Sequence, residues 1–219
     1  MAESATRIAL LGPAPPFRGG ITQFALMLAL EYQRQGKEIR MFSFHRQYPQ
    51  LLFPGAKQTT EFSTFPEIPV ERLFTPYQPL TWNKVVHGIQ AWKPDIVIVS
   101  YFLPWFAPSY TWICQRLRGA RLICLAHNVD FHEHWPGADF LSKMLFDRFD
   151  RIVLLSQACW QDLLRKFPGP ISDKSVTGFH PIYDCYQNPT QPETEIGSSS
   201  PTLLFFGLIK AYKGLDVLL

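Results

Sequence analysis

Short, mainly apolar segments alternate with amphipathic segments along most of this 219-residue chain. In the amphipathic segments apolar residues recur at helical spacing, as at Ile21, Phe24, Ala25 and Leu28. Apolar strands between such helices are typical of a parallel sheet that is covered on both faces. The pattern predicts an α/β fold, a Rossmann-like parallel sheet with helices on both faces. The predicted strands are residues 8–11, 38–44, 95–100, 121–126, 150–156 and 174–179.

The segments between these strands predict several helices and one long connection. Ser156 is expected to be the N-cap of the helix at 157–167. Residues 47–79 are rich in proline, threonine and phenylalanine and lack periodicity, which predicts a connection with short strands such as 58–62. The first helix is expected to start at Gly20, and three further helices are expected at residues 80–92, 108–117 and 138–149.

A polar segment at residues 187–201 divides the chain. It is rich in proline and serine and has no periodicity, which is typical of a linker. Residues 1–186 are therefore expected to form one Rossmann-like domain. Residues 202–219 contain an apolar strand, a glycine-bearing loop and the first part of a helix. One strand and part of a helix cannot bury their own apolar faces, so we expect residues 202–219 to belong to a truncated second domain.

The connection after the first strand carries Gly19 and Gly20 directly before the first helix. A helix N-terminus exposes backbone N–H groups and favours negative charge, and glycine lets a phosphate approach the backbone. The spacing is not G-x-G-x-x-G, so the segment is not a dinucleotide-binding motif. Two interpretations stay open at this point, an anion-binding loop and a tight turn without a ligand.

Ligands of open parallel sheets bind beyond the carboxyl ends of the strands. This rule places four loops at one edge, residues 12–20, 101–107, 127–135 and 179–183. His127 is the candidate polar residue of this edge, and Phe102 and Trp105 are aromatic residues of the second loop. The aromatic residues fit either core packing or an apolar acceptor pocket beside a membrane surface.

Composition excludes several function classes. The net charge is +3 and no basic run occurs, which argues against nucleic acid as a partner but leaves contact with an anionic membrane surface open. The N-terminus lacks a signal-peptide core and no stretch of 18 apolar residues occurs, so a cytoplasmic protein is expected. Asp130, His132, Glu133 and His134 lie close in sequence, but their spacing is not that of a metal site, and no metal is expected.

Four segments together resemble the front half of a retaining, two-domain GT-B glycosyltransferase of family 4. The segments are the loop with Gly19 and Gly20, residues 92–98 (WKPDIVI), His127–Asn128 after a strand, and residues 205–219 (FFGLIKAYKGLDVLL). The last segment resembles the phosphate-binding entry to the family's donor domain and is the most specific. The resemblance implies that the fold is the N-terminal half of a GT-B fold and that residues 1–186 bind the acceptor.

The resemblance also implies an activity, the transfer of a sugar from a nucleotide-sugar to an acceptor hydroxyl with retention of configuration and without a metal. Gly19 and Gly20 match the loop beside the donor, and His127 matches a histidine on a donor-sugar hydroxyl. The acceptor, a glycan or a lipid-linked molecule, is expected to contact Phe102, Trp105, Asn128 and His132. The remaining donor-binding residues implied by the resemblance are Lys210, Lys213 and Gly214.

One position departs from the family pattern. The family has an arginine directly after the glycine of its donor domain, and here Leu208 follows Gly207. Lys210 is a substitute without the bidentate guanidinium. We therefore keep two hypotheses, a glycosyltransferase of which these 219 residues alone are inactive, and a non-catalytic Rossmann-like binding or scaffold protein. The absence of G-x-G-x-x-G argues against a nicotinamide or methyl-donor enzyme.

Overall fold

The computed structural model describes residues 5–49, 59, 68–131, 136–183 and 214–218. Within these residues seven strands form one sheet in the order β3-β2-β1-β4-β5-β6-β7, and every neighbouring pair is parallel. The predicted Rossmann-like parallel sheet is therefore confirmed. The strands are β1 (Arg7–Leu11), β2 (Glu38–Phe44), β3 (Val70–Phe74), β4 (Ile96–Tyr101), β5 (Arg121–Ala126), β6 (Arg151–Leu154) and β7 (Ser175–Thr177).

Helices cover both faces of this sheet. Right-handed crossovers place α1, between β1 and β2, on one face and the helices that follow β3 to β6 on the other. One hydrophobic cluster contains buried residues of α2 to α5, whereas the buried residues of α1 lie outside it. The helices are α1 (Gly20–Arg34), α2 (Trp82–Trp92), α3 (Ala107–Cys114), α4 (Ala138–Phe146), α5 (Gln157–Lys166), α6 (Pro170–Asp173) and α7 (Leu215–Leu218).

An aromatic cluster lies under the carboxyl end of β2. The Phe44 ring is fully buried, and its centroid lies 6.0 Å from Phe17, 5.0 Å from Phe74 and 5.4 Å from Phe106. These rings belong to the β1–α1 connection, to β3 and to the β4–α3 connection. Because burial of a large apolar side chain contributes about 1.5–3 kcal/mol, the cluster fixes both connections to the core.

The main difference from the sequence prediction is β3. Val70–Phe74 lies inside the stretch expected to be a long connection, and it pairs with β2 as an edge strand. Its sequence, VERLF, carries two charges, so its pattern is weak. Arg40 of β2 pairs with Glu71 at 2.7 Å. Of the predicted short strand at 58–62, only Thr59 lies among the described residues, and it forms an isolated bridge with Phe17.

The remaining predictions hold with small shifts. Helix α3 begins one residue early and ends at Cys114, α4 ends at Phe146, and α6 was not predicted. Ser156 is the N-cap of α5, where its Oγ accepts from the Cys159 N–H at 3.2 Å.

The chain divides into two compact units, residues 1–179 and 180–219. In the second unit the structure describes residues 180–183 and 214–218, where Gly214 precedes α7 with a φ of 65°. The predicted linker at 187–201 and the strand predicted after it lie outside the described residues, so these parts of the domain prediction stay predictions. No described helix is long and apolar enough to cross a membrane.

Candidate functional site

The strand order places a crevice between the carboxyl ends of β1 and β4. Crossovers run toward β3 on one side of this point and toward β7 on the other, and such a switch point is where open parallel sheets bind ligands. The connections after β1, β4 and β5 meet there because all three strands are parallel neighbours. The prediction that the loops bearing Gly20 and His127 share one edge is therefore confirmed.

The connection after β1 is buried at its base and exposed at its end. A Cβ on Gly12 would lie 2.9 Å from the Ser100 Cβ, so only glycine lets β1 pass this close to β4. Phe17 is buried, whereas Arg18, Gly19 and Gly20 are exposed.

Helix α1 begins at Gly20, and its N-cap residue is a glycine. Gly19 is the N-cap, its φ of 117° and ψ of 162° suit glycine, and it makes no side-chain cap bond. The first turn has no acidic residue, and within the described part of the chain no heavy atom beyond the neighbouring residues and the helix's own backbone lies within 4 Å of an added Cβ at Gly19 or Gly20. A helix N-terminus has the polarity for an anion, and Gly19 and Gly20 add no side-chain bulk there.

His127 follows β5 and is half-buried beside α1. Its ring meets the ring of Phe24 edge to face, with the centroids 5.3 Å apart. Phe24 lies four residues, about one helical turn, after Gly20. The His127 backbone N–H donates to the Tyr101 carbonyl at 2.8 Å, and the Cys159 thiol donates to the His127 carbonyl at 3.5 Å. These contacts place the imidazole against α1 at Phe24, in the second turn of the helix.

The residues predicted to contact an acceptor differ in their surroundings. The Phe102 ring is 5% exposed and packs 4.7 Å from the ring of Phe106, so it belongs to the core. This burial argues against a direct acceptor contact by the Phe102 ring. Trp105 is half-buried, and its indole N–H has no hydrogen-bond partner within the described ranges of the chain. The Asn128 amide donates to the Phe102 carbonyl at 3.3 Å and links the connections after β4 and β5.

Several predicted residues are not tested by the structure. Lys210, Lys213 and His132 lie outside the described residues, and Gly214 lies in the second unit. Among the described residues no group of three or more His, Cys, Asp or Glu could hold a metal. The Asp130 carboxylate, which belonged to the acidic and histidine-rich segment, accepts from Lys166 and Arg165 instead.

The sequence did not identify Phe24 or Cys159 as neighbours of His127. Phe24 appeared only as part of the apolar stripe of α1. The only available signal was the position of Phe24 one turn after the glycines. The meeting of these residues with His127 depends on how α1 and α5 pack at the sheet edge.

Comparison with solved structures gives relatives of the same fold. The chain is similar to a glycosyltransferase from Rickettsia africae (TM-score 0.53, 15% identity, 78% of this chain and 42% of that chain). It is also similar to a UDP-N-acetylglucosamine 2-epimerase from Rickettsia bellii (TM-score 0.51, 11% identity, 79% of this chain and 44% of that chain). A third similar structure is an alpha-glucosyltransferase in complex with UDP-glucose and DNA containing an abasic site (TM-score 0.51, 13% identity, 80% of this chain and 42% of that chain). At these identities the similarity shows the fold alone.

The family follows from a sequence model rather than from these structures. The chain spans about two fifths of the length of the solved structures that it resembles. No curated protein matches it. Residues 18–176, more than half of the chain, match the family model described as Glycosyltransferase Family 4. The matched region contains the connection with Gly19 and Gly20, the strands β2 to β6 and His127. The chain therefore belongs to Glycosyltransferase Family 4, and its sheet is the Rossmann-like fold of GT-B glycosyltransferases.

Proposed function

We propose that the chain supplies one side of a site where a hexosyl group moves from a nucleotide-sugar donor to an acceptor hydroxyl with retention of configuration. Family membership supports transferase chemistry. The observation that carries the proposal is the ring contact of 5.3 Å between Phe24 and His127, because it joins α1, four residues after its start, to the end of β5. The activity of the whole protein, its donor and its acceptor are all part of this proposal.

The first turn of α1 suits the diphosphate of the donor. Negative charge grows on the diphosphate as the bond to the sugar breaks, and catalysis needs N–H donors and positive charge at that place. Gly19 and Gly20 leave room for a phosphate at the helix N-terminus, and Arg18 is exposed directly before them. Lys210, Lys213 and Gly214 are proposed to supply further donor contacts.

His127 is proposed to bind a hydroxyl of the donor sugar. Its backbone bonds to Tyr101 and Cys159 fix the residue, and its ring packs against Phe24, which lies four residues after Gly20. A donor with its diphosphate at the glycines would extend its sugar toward this ring. Asn128, His132 and Trp105 are proposed to contact the acceptor, a glycan or a lipid-linked molecule. N–H donors and cations here perform the charge stabilisation that other transferases obtain from a metal.

A non-catalytic binding protein is the second candidate. Leu208, which stands where the family has an arginine, favours it because a guanidinium fork to the diphosphate is missing. Both candidates bind a nucleotide-sugar, and only the enzyme transfers the sugar. The free thiols of Cys114, Cys124 and Cys159 support a reducing compartment, and we propose a cytoplasmic location that includes the membrane surface.

Calorimetry of the full-length protein with a panel of nucleotide-sugars and their nucleoside diphosphates tests the proposal. Two variants probe the site. Gly20→Ala adds a methyl group in open space at the helix end. His127→Ala removes the imidazole. Gly178→Ala is the matched control, because its added Cβ makes only ordinary contacts, at 3.5 Å or more, beyond the edge strand β7.

We expect one nucleotide-sugar to bind the wild-type protein and Gly178→Ala equally. Gly20→Ala should lower the affinity about 10-fold, the scale of one hydrogen bond to a charged group. His127→Ala should bind the diphosphate normally and lose about 3–10-fold of the preference for the sugar. The proposal fails if the full-length protein binds no nucleotide-sugar, or if both site variants bind as the wild type does. Transfer to an acceptor, followed by mass spectrometry, separates the enzyme from the binding protein, and the 219 residues alone are expected to show none.

A further inference from the structure

Helix α5 contacts both ends of the segment from His127 to Asp130. Near its start, the Cys159 thiol donates to the His127 carbonyl at 3.5 Å. At its end, Arg165 and Lys166 each donate to the Asp130 carboxylate at 2.8 Å. One regular helix with a capped N-terminus thus spans the segment that carries the predicted site residues.

Each oxygen of the Asp130 carboxylate accepts a hydrogen bond from one of these cations. Lys166 Nζ donates to Oδ1, and Arg165 Nη2 donates to Oδ2. The hydrogen bond from Lys166, followed by that from Arg165, lowers the pKa of Asp130 below its ordinary value. The carboxylate therefore stays ionised at neutral pH and has no proton to give. Asp130 thus fixes the end of the segment to α5 and does not act as an acid or a base.

Lys166 binds a second carboxylate. Its Nζ also donates to Asp139 Oδ1 at 2.9 Å, in the first turn of α4. The Lys166 side chain is 15% exposed, whereas Arg165 is 62% exposed. A bridging ammonium with little solvent around it is screened less than an ordinary surface pair. Lys166 is thus the residue through which α5 holds both the β5 end and α4.

We propose that Lys166 is a positioning residue that holds the segment from His127 to Asp130 at the site edge. This inference rests on the proposed function, in which His127 binds the donor sugar. Lys166 does not need to touch the donor. Its two ion pairs, together with the Cys159 contact, set the position of the His127 imidazole relative to α1. A displacement of about 1 Å in such a site is enough to lower a rate about 100-fold.

The test compares Lys166→Met with Lys143→Met in the full-length protein. Both substitutions remove an ammonium and keep an unbranched side chain. Lys143 is a matched control on α4, because among the residues that the structure describes it pairs with Asp147 alone, at 2.8 Å, and it is 59% exposed. Asp130→Asn is a second variant that keeps the shape of the Asp130 side chain if Lys166→Met folds poorly, and Lys166→Arg tests rescue. The readouts are the ¹⁵N-histidine resonances of His127, assigned with His127→Gln, and the affinity for the nucleotide-sugar found by calorimetry.

We expect Lys166→Met and Asp130→Asn to shift the His127 resonances and to lower the affinity about 10-fold. Lys143→Met should change neither, and Lys166→Arg should restore part of both. The inference is overturned if Lys166→Met and Asp130→Asn leave the His127 resonances unchanged, or if Lys143→Met shifts them equally. If the wild-type protein binds no nucleotide-sugar, the proposed function fails, while the resonances still decide whether Lys166 positions His127.

Discussion

The backbone of Gly19 makes Gly19→Ala a sharp test of the site geometry. Its φ of 117° and ψ of 162° lie in a region that only glycine adopts readily, and forcing another residue there costs about 1–3 kcal/mol. No heavy atom of the described residues beyond its chain neighbours lies within 4 Å of the added Cβ, so we expect no steric clash to contribute. The whole expected loss therefore comes from the main-chain conformation.

Gly20→Ala is the control in the neighbouring position. Gly20 is the first helical residue, it does not have a positive φ, and its added Cβ also meets open space. Alanine is a better helix residue than glycine by at most about 1 kcal/mol. Alanine at these two adjacent, exposed positions should thus change the free energy of unfolding in opposite directions.

Urea unfolding followed by tryptophan fluorescence measures both variants. All six tryptophans lie before residue 180, so the signal reports on the first unit. With a slope of about 2 kcal/mol per molar urea, Gly19→Ala should lower the midpoint by about 0.5–1.5 M. Gly20→Ala should leave it unchanged or raise it slightly. Equal midpoints for Gly19→Ala and the wild-type protein would refute the reasoning, because Gly19 would then not need its observed conformation.

Two further outcomes are expected. Tyr101→Phe should lower the free energy of unfolding by about 1–2 kcal/mol, because the buried Tyr101 hydroxyl lies 2.7 Å from Ser142 Oγ; an unchanged urea midpoint would show that this bond contributes nothing. Iodoacetamide at pH 8 should label half-exposed Cys159 at least about 100-fold faster than Cys114, whose pKa burial raises to about 12. Labelling of the folded protein, followed by digestion and peptide mass spectrometry, measures both labelling rates, and equal rates would contradict the burial of Cys114.

The sequence predicted the sheet well where the strands are buried on both faces. Residues 38–44, where apolar and polar residues alternate, and the mainly apolar residues 121–126 are strands with the predicted bounds, because both patterns suit a strand that buries its side chains in such a sheet. The N-cap at Ser156 was also predicted, since it depends on neighbouring residues alone. The edge strand β3 was missed, because Glu71 and Arg72 remove the apolar pattern, and the strand forms through its pairing with β2.

For the site, the sequence determined which residue types end each strand, and the parallel sheet then placed Gly20 and His127 at one edge. Tertiary packing decided what surrounds them. Phe102 is in the core because its ring packs against Phe106 of the aromatic cluster. The local sequence pattern does not predict this packing.

The ion pairs of Lys166 show the same limit more clearly. Lys166 bonds to Asp130 and Asp139, which lie 36 and 27 residues earlier in the chain. A local charge pattern reports only on neighbours within one or two helical turns. The sequence by itself thus determined the sheet, the glycine-bearing helix start and the family. Only the tertiary structure decided which side chains support His127, because those contacts arise when separate helices pack against one sheet edge.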